Sequence, residues 1–419
     1  MYHFVVLVLC ILRIVSSHFN REYAGTKLVN LVAPNKHCYE SLEQYLSVNM
    51  LDMYVEARTP SLSIEVVVSR KKYGGLRKYC QRQHISIAVL VEDVKREIDN
   101  ENYLNNNMHY NTFNYERYNR YHDIQAELHR LTFLHPTLMR VCTVGYSWEG
   151  KPLLIVKVSE DVISCQKDDK PIVWIDSGMH GREWITVATG MNILKKLVDN
   201  YQRNETIRTL LRQKTFYFVP VFNPDGYAHT FTTDRLWRKT KTSFAHSECY
   251  GADPNRNWNI MWGGSKKKSD PCSLFYRGME AESEPCVHTY ATILRRKQKA
   301  LQAYFTLHSF YELLFIPNSY TRKPPSDIAE IYRVGNIFVN AIKRRHNTEY
   351  NAVSASFLFG PTFGVSADYV HDKLNVTHSY IVELRGGLKF RFMLPPNQIK
   401  PTGEETYDAI VASVQAIES

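Results

Sequence analysis

Residues 171–186, PIVWIDSGMHGREWIT, constrain the fold more than any other stretch of the chain. Ile172-Val173-Trp174-Ile175 is an apolar, β-branched run and predicts a buried strand entering a central sheet. The chain breaks at Ser177-Gly178, presents His180 and Glu183, and then enters an apolar-periodic helix predicted over about 184–201. An imidazole and a carboxylate projecting from one strand–loop–helix junction are two of the three protein ligands a catalytic zinc needs. His-x-x-Glu is common by chance, so this pair alone identifies nothing. The residues downstream decide.

After this stretch, strands are predicted at Thr215–Phe222, Gln302–Leu307 (ending at His308-Ser309) and Ser379–Val382 (ending at Glu383). Helices are predicted at Asp327–Arg345 and Glu404–Ile417. Before it come a helix over Ile124–Phe133 and a hairpin of Arg140–Tyr146 and Pro152–Val158. Asn223-Pro224-Asp225-Gly226 reads as a turn. Strands alternating with helices imply an α/β domain, its mixed, mostly parallel central sheet covered by helices on both faces. Ligands of such sheets bind at the carboxyl ends of strands. His180 with Glu183, His308 and Glu383 all fall at such ends.

The N-terminal part has a different pattern. Lys27–Val32, Leu51–Val55, Ser63–Val68 and Ile85–Val91 read as strands, and Lys36–Leu46, Tyr73–Gln83 and Glu92–Asn100 as helices. That βαββαβ order predicts a small ferredoxin-like α+β unit. The asparagine-rich stretch 101–108 lacks periodicity and reads as an exposed, cleavable connector. Ahead of everything, Phe4–Leu12 is an apolar run too short to span a bilayer. Val15-Ser16-Ser17 follows, which predicts a signal peptide over residues 1–17 and a secreted, extracellular protein. Asn204-Glu205-Thr206 and Asn375-Val376-Thr377 are glycosylation acceptors if so. No other segment is apolar and long enough to cross a membrane.

The 419 residues, 44% of them hydrophobic, suffice for a sizeable core. The formal charge of +10 lies in short, scattered basic runs such as Lys266-Lys267-Lys268, without a recognition motif between them, so no nucleic-acid partner is expected. Eight cysteines agree with an oxidising destination, and none form Cys-x-x-Cys. The pairing of Cys38, Cys80, Cys142, Cys165 and Cys286 stays open at this level.

Read in order, several motifs resemble the zinc carboxypeptidases of the pancreatic A/B type in their proenzyme form. They are NTFNYERY (111–118), GMHGREWIT (178–186), NPDGY (223–227), LWRKT (236–240), DPNRNW (253–258), HS (308–309), VELR (382–385) and LPPNQIKPT (394–402). The resemblance covers nearly everything after residue 17. It implies one zinc per chain on His180, Glu183 and His308, with Glu383 as general base and Arg238 stabilising the oxyanion. It further implies that Asn255 and Arg256 clamp the terminal carboxylate of the substrate, that Arg182, Ser309, Phe310, Phe359 and Ala367 line the substrate site, and that Cys249 and Cys272 form a disulfide. Residues 18–106 would be an activation prosegment, including the connector, and 107–419 the catalytic domain. The expected partners are peptide or protein C-termini and an activating protease, with the chain a monomer.

Three departures bear on substrate. No tyrosine stands near Phe359-Gly360-Pro361, where the family has a capping one, and Phe310 replaces a second. The specificity signature reads Ser366-Ala367-Asp368-Tyr369. With Ala367 at the deciding position, apolar C-terminal residues are favoured, as in A-type enzymes. With Asp368 there, a B-type preference for lysine or arginine follows. The lost hydroxyls also leave room for a catalytically weak binding protein on the same fold.

Overall fold

The computed structural model describes residues 23–49, 51–54, 62–106, 113–162, 164–165, 170–245, 247–264 and 270–417. The expected signal peptide, Val55, residues 107–112 of the connector region and the 266–268 lysine run lie outside them. The chain divides into two compact units, Met1–Tyr103 with His229–Leu236, and Leu104–Ala228 with Trp237–Ser419.

The first unit contains β1 (Lys27–Val32), α1 (Lys36–Val48), β2 (Asp52–Met53), β3 (Ser63–Val68), α2 (Arg70–Arg82) and β4 (Ser86–Val91), and most of α3 (Val94–Asn106). The sheet order is β2-β3-β1-β4, with β1 antiparallel to both neighbours. Val29, Leu31, Ile64 and Val66 of the strands pack with Leu42, Leu46 and Leu76 of the helices into one core. Helix α1 starts where the Asn35 side chain accepts from the Cys38 amide, satisfying one orphan donor of the first turn. Cys38 and Cys80 are free thiols.

The connector expectation is corrected here. Residues 101–106 continue α3 as helix, and Glu101 and Asn105 are buried. Val94, Ile98, Glu101 and Asn105 follow one another at helical spacing, so one face carries two apolar and then two polar residues. The polar pair is buried because each has partners. Arg235 donates to both Glu101 oxygens, and Asn105 exchanges two hydrogen bonds with the Tyr118 backbone. Asparagine's weak helix propensity loses to these bonds.

The second unit is built on an eight-stranded sheet ordered β11-β10-β12-β9-β7-β8-β6-β5. Its strands are β5 (Met139–Tyr146), β6 (Pro152–Val158), β7 (Ile172–Asp176), β8 (Thr215–Val219), β9 (Leu301–Ser309), β10 (Leu313–Ile316), β11 (Asn351–Ser354) and β12 (His378–Leu384). The central four, β12-β9-β7-β8, are parallel, and antiparallel pairs flank them. Every residue of β7, β8 and β12 is buried, as strands covered on both faces must be.

Around the sheet lie α4 (Tyr121–Leu134), α5 (Trp184–Asn200), α6 (Glu205–Gln213), α7 (Pro224–Thr232), α8 (Pro285–Lys297), α9 (Ile328–His346) and α10 (Ile399–Ala416). Trp174 meets Tyr290 of α8 on one face, and Phe305 stacks on Phe338 of α9 on the other. Helices α6 and α8 and strands β10 and β11 stand where the sequence reading placed no element. The Asn223-Pro224-Asp225-Gly226 turn proves to be the opening of α7. The Asn223 side chain accepts from the Gly226 amide, and Pro224 takes the first helical position, where its missing N–H costs nothing.

Candidate active site

The loop from β7 to α5 is pinned at both ends. The Gly178 amide donates to Thr186 Oγ1, and that hydroxyl donates to the Glu183 carbonyl. Between them, Gly181 passes so close to its neighbours that a Cβ would stand 2.5 Å from the Gly226 carbonyl oxygen. Its amide donates to the Arg238 carbonyl, which brings Arg238 beside His180. The loop therefore aims His180 and Glu183 inward and admits no side chain at position 181.

His308 reaches the same point from β9. Nδ1 of His180 and Nδ1 of His308 are 3.1 Å apart, and they stand 2.8 Å and 3.2 Å from the two Glu183 oxygens. All three side chains are buried. Donor atoms on a tetrahedral zinc with bonds of 2.0–2.2 Å are separated by about 3.3–3.6 Å, and these three lie a few tenths of an ångström closer, so a small outward shift fits the set to this metal. The tautomer fits as well. His180 Nε2 lies 3.0 Å from Asp253 Oδ1, and a carboxylate can only accept, so Nε2 holds the proton and the Nδ1 lone pair faces the centre. Burial and the Arg238 charge hold the His180 pKa below its usual value, keeping the imidazole neutral. Burial opposes ionisation of Glu183, but the two histidines outweigh it and keep its carboxyl well below the usual range.

Strand register places Glu383. It pairs directly with His308 across the parallel β12–β9 ladder, so the two side chains leave the sheet on the same side. Its Oε2 is buried without a hydrogen-bond partner among the described residues. Burial raises its pKa to about 7, against the pull of His308.

Asp253 organises the opposite wall. It is fully buried and accepts from Arg238 Nε and Nη2 at 3.0 Å and 2.8 Å, from His180, and from the Asn255 amide at 2.9 Å. Burial would raise its carboxyl, but Arg238, Arg256 and His180 hold it well below the ordinary range. Sequence reasoning quoted the motif around Asp253 without giving the aspartate a role. Its signal was an acid two residues ahead of the Asn255-Arg256 pair. The Arg238 and Arg256 guanidiniums both lie near the Phe275 ring, at 5.2 Å and 5.9 Å from its centroid. Asn255 Oδ1 accepts from the Ser366 amide, tying this wall to the 366–369 signature.

The remaining expected residues are distributed as follows. Arg182 is buried with its guanidinium 4.1 Å from the Phe392 ring centroid, a cation–π stack that the motif did not reveal. Ser309 donates its amide to Glu183. Phe310 is fully buried between Tyr311 and Phe392, and Phe359 is half-buried against Tyr311 and Phe315. Ala367 lies in the apolar core with Trp258 and Tyr369. Asp368 is buried, and both its oxygens accept from the Ser319 amide. Disulfides join Cys249 to Cys272, as expected, and Cys142 to Cys165, while Cys286 is free.

The family model described as zinc carboxypeptidase (Peptidase_M14) matches residues 124–409. The chain belongs to the zinc carboxypeptidase family. It is 33% identical over 397 residues to carboxypeptidase A2 of Rattus norvegicus, covering 92% of each chain. It is also 28% identical over 410 residues to carboxypeptidase B of Homo sapiens, covering 97% of this chain and 96% of the relative. Among solved structures it is similar to carboxypeptidase A from Helicoverpa armigera, with a TM-score of 0.84, 25% identity, and coverage of 94% of this chain and 98% of that one. The protein is a zinc metallocarboxypeptidase, a hydrolase whose substrates are peptides with free C-termini. Among the described residues, His180, Glu183 and His308 are the one cluster of side chains that could hold a metal ion, and the family is one of zinc enzymes.

Proposed function

We propose that this carboxypeptidase is secreted, is made as a zymogen, and removes apolar or aromatic C-terminal residues using one zinc per chain. Oε2 of Glu383, buried and without a hydrogen-bond partner among the described residues, lies beside the His180–Glu183–His308 set and carries the reading. A buried carboxylate with an open lone pair next to a metal set is built to take a proton.

Zinc held by those three residues supplies Lewis acidity, which lowers the pKa of water and polarises the scissile carbonyl. Arg256, with Asn255 beside it, receives the substrate's terminal carboxylate, since a guanidinium fork meets a carboxylate bidentately. Arg238, held in line by Asp253, donates to the oxyanion as it develops. Glu383 accepts the proton of the attacking water and returns it to the leaving amine. Arg182 on its Phe392 platform, with Ser309, Phe310 and Phe359, borders the path of the preceding substrate residues.

The A-type preference rests on Ala367 in an apolar setting. Asp368, the alternative deciding residue, is engaged by the Ser319 amide, and burial raises its pKa to about 7. A B-type enzyme needs a free, ionised acid there. Phe310 and Phe359 lack the hydroxyls of the family pattern, which favours weakened substrate binding over lost chemistry. Residues 18–106 are read as the activation prosegment, residues 107–419 as the catalytic domain, and the chain as a monomer. The stretch 101–109 contains no lysine or arginine, an awkward target for a trypsin-like activator, so the identity of the activating protease stays open.

The test is to cleave after residue 106 and assay peptides ending in Phe, Leu, Lys or Arg, with and without a zinc chelator. Chelator-sensitive release of Phe and Leu is expected. Preferred release of Lys or Arg would reverse the specificity, and no release from any peptide would leave a binding protein on a carboxypeptidase fold.

A further inference from the structure

Helix α2 gathers charge that the sequence holds in separate short runs. Its thirteen residues, RKKYGGLRKYCQR, carry six basic side chains and no acid. Leu76 and Cys80 are buried in the core of the first unit, and Tyr79 stacks on Tyr45 of α1, which fixes the side of the helix that faces water. Arg70, Lys71, Arg77, Lys78 and Arg82 are all exposed. At 3.6 residues per turn, Lys71, Lys78 and Arg82 fall in one row, at i, i+7 and i+11, and Arg70 and Arg77 in a second row beside it. The longer row spans about 16 Å. Gly74 lies between the rows, where an added Cβ would meet no atom within 4 Å, so no side chain holds a ligand off the backbone there.

The fold gives these cations no use of their own. Among the described residues, no hydrogen bond or ion pair engages any of the five side chains. Lys27, Lys95 and Arg96 of the same unit each meet an acid. Lys72, the sixth cation of α2, donates to the Asn49 carbonyl. The placement also works against the helix. Cations stabilise a last turn, but Arg70, Lys71 and Lys72 stand in the first, at the positive end of the macrodipole. Lys78 and Arg82 repel each other at i, i+4 spacing. An anion laid along this face relieves both repulsions.

Two rows of cations along an open face fit a linear polyanion better than a single small anion. A membrane surface fits less well, because an interfacial helix turns apolar side chains toward lipid, and those of α2 are turned into the core. We propose that the exposed face of α2 binds a sulfated polysaccharide. Its sulfate groups lie along the two rows, with the arginine guanidiniums donating to sulfate oxygens as they do to carboxylate and phosphate. The choice of an extracellular polyanion rests on the secretion reading, whereas the cationic face stands without it.

Calorimetric titration of the full chain in rising sodium chloride tests this. Heparin is the probe, dextran the uncharged polysaccharide, and vesicles of phosphatidylserine and phosphatidylcholine the membrane arm. Saturable binding of heparin is expected, with none of dextran. Lys71→Ala, Lys78→Ala and Arg82→Ala together should weaken it by about tenfold or more, and should flatten the slope of log K against log salt by about two. Alanine is the best helix former, so thermal unfolding of this variant should stay at or above the parent's. Should it fail to fold, Lys71→Gln with Lys78→Gln decides. An equal loss of charge at the end of α9, by Lys343→Ala, Arg344→Ala and Arg345→Ala, should leave heparin binding near the parent's.

The proposal is overturned if heparin shows no saturable binding at low salt, or if the folded α2 variant binds it like the parent. It is also overturned if the α9 variant loses as much affinity, which would make the net charge of +10 the cause, or if the vesicles bind and heparin does not. None of these outcomes depends on peptidase activity or on secretion, so this proposal and the functional one fail separately.

Discussion

Asp253→Asn is the most informative single change, because Asp253 serves the metal site and the oxyanion arginine at once. The aspartate accepts from Arg238 twice, from His180 Nε2 and from the Asn255 amide. An asparagine has nearly the same shape but must turn an NH2 toward one side. Facing His180, it forces Nε2 to accept, which moves the proton to Nδ1, the atom that faces Glu183 and His308. Facing Arg238, it sets donor against donor and removes two charge-assisted bonds, each worth about 1.5–3 kcal/mol.

Loss of a partner that orients a metal ligand typically costs 10–100-fold in metal affinity, or about 1.4–2.7 kcal/mol. Misplacing one oxyanion donor costs on the order of 10²–10³ in rate. Zinc affinity is read by competition with a chromophoric chelator, and kcat/KM on a peptide ending in Phe is read at saturating zinc. The first isolates the His180 effect, and the deficit that survives zinc saturation isolates Arg238. Thermal unfolding of the variant shows whether the fold persists. Zinc affinity and kcat/KM both within about twofold of the parent, in a folded variant, would refute the reasoning.

Glu383→Gln should lower kcat by on the order of 10²–10⁴ while zinc affinity stays close to the parent's, since Glu383 is beside the metal set and not in it; a matching loss of zinc would make it a ligand. Asp368 gives a pH prediction. Its folded pKa of about 7 exceeds the unfolded value, so the folded state holds the proton more tightly, and the stability this gives is lost as pH rises from about 4 to about 7. Asp368→Asn cannot ionise, so its thermal stability relative to the parent should be similar near pH 4 and higher above pH 7, by at most about 4 kcal/mol. A constant offset across that range, read by calorimetry, would contradict it. Replacing Cys249 and Cys272 with serine opens a crosslink spanning 23 positions and should destabilise the domain by about 3 kcal/mol, measured by denaturant unfolding.

Much of the sheet could be read from the sequence because parallel inner strands are continuous apolar runs. Ile172–Ile175 and Gln302–Leu307 fall within the parallel strands β7 and β9, and the antiparallel strands Lys27–Val32, Ser63–Val68 and Pro152–Val158 match the observed bounds. Two of the misses come down to contacts distant in sequence. Residues 101–106 are helical because Arg235 and Tyr118, distant in sequence, satisfy Glu101 and Asn105. Strands β10 and β11 are four residues each, too short to show a period, and exist through pairing with β12 and each other.

The sequence by itself determined the chemistry available to this protein: which imidazoles, carboxylates and guanidiniums it carries, and that several follow strands of a parallel sheet. Motif resemblance then named the ligand set. Tertiary structure decided what no spacing encodes. His308 lies 125 positions from Glu183, yet strand register sets it against Glu383 and the β7–α5 loop sets it against His180. Asp253 became the hub of the site only when burial removed competing water and left Arg238 and His180 as its partners. Contacts between residues far apart in sequence are made by the folded sheet, and local composition leaves no record of them.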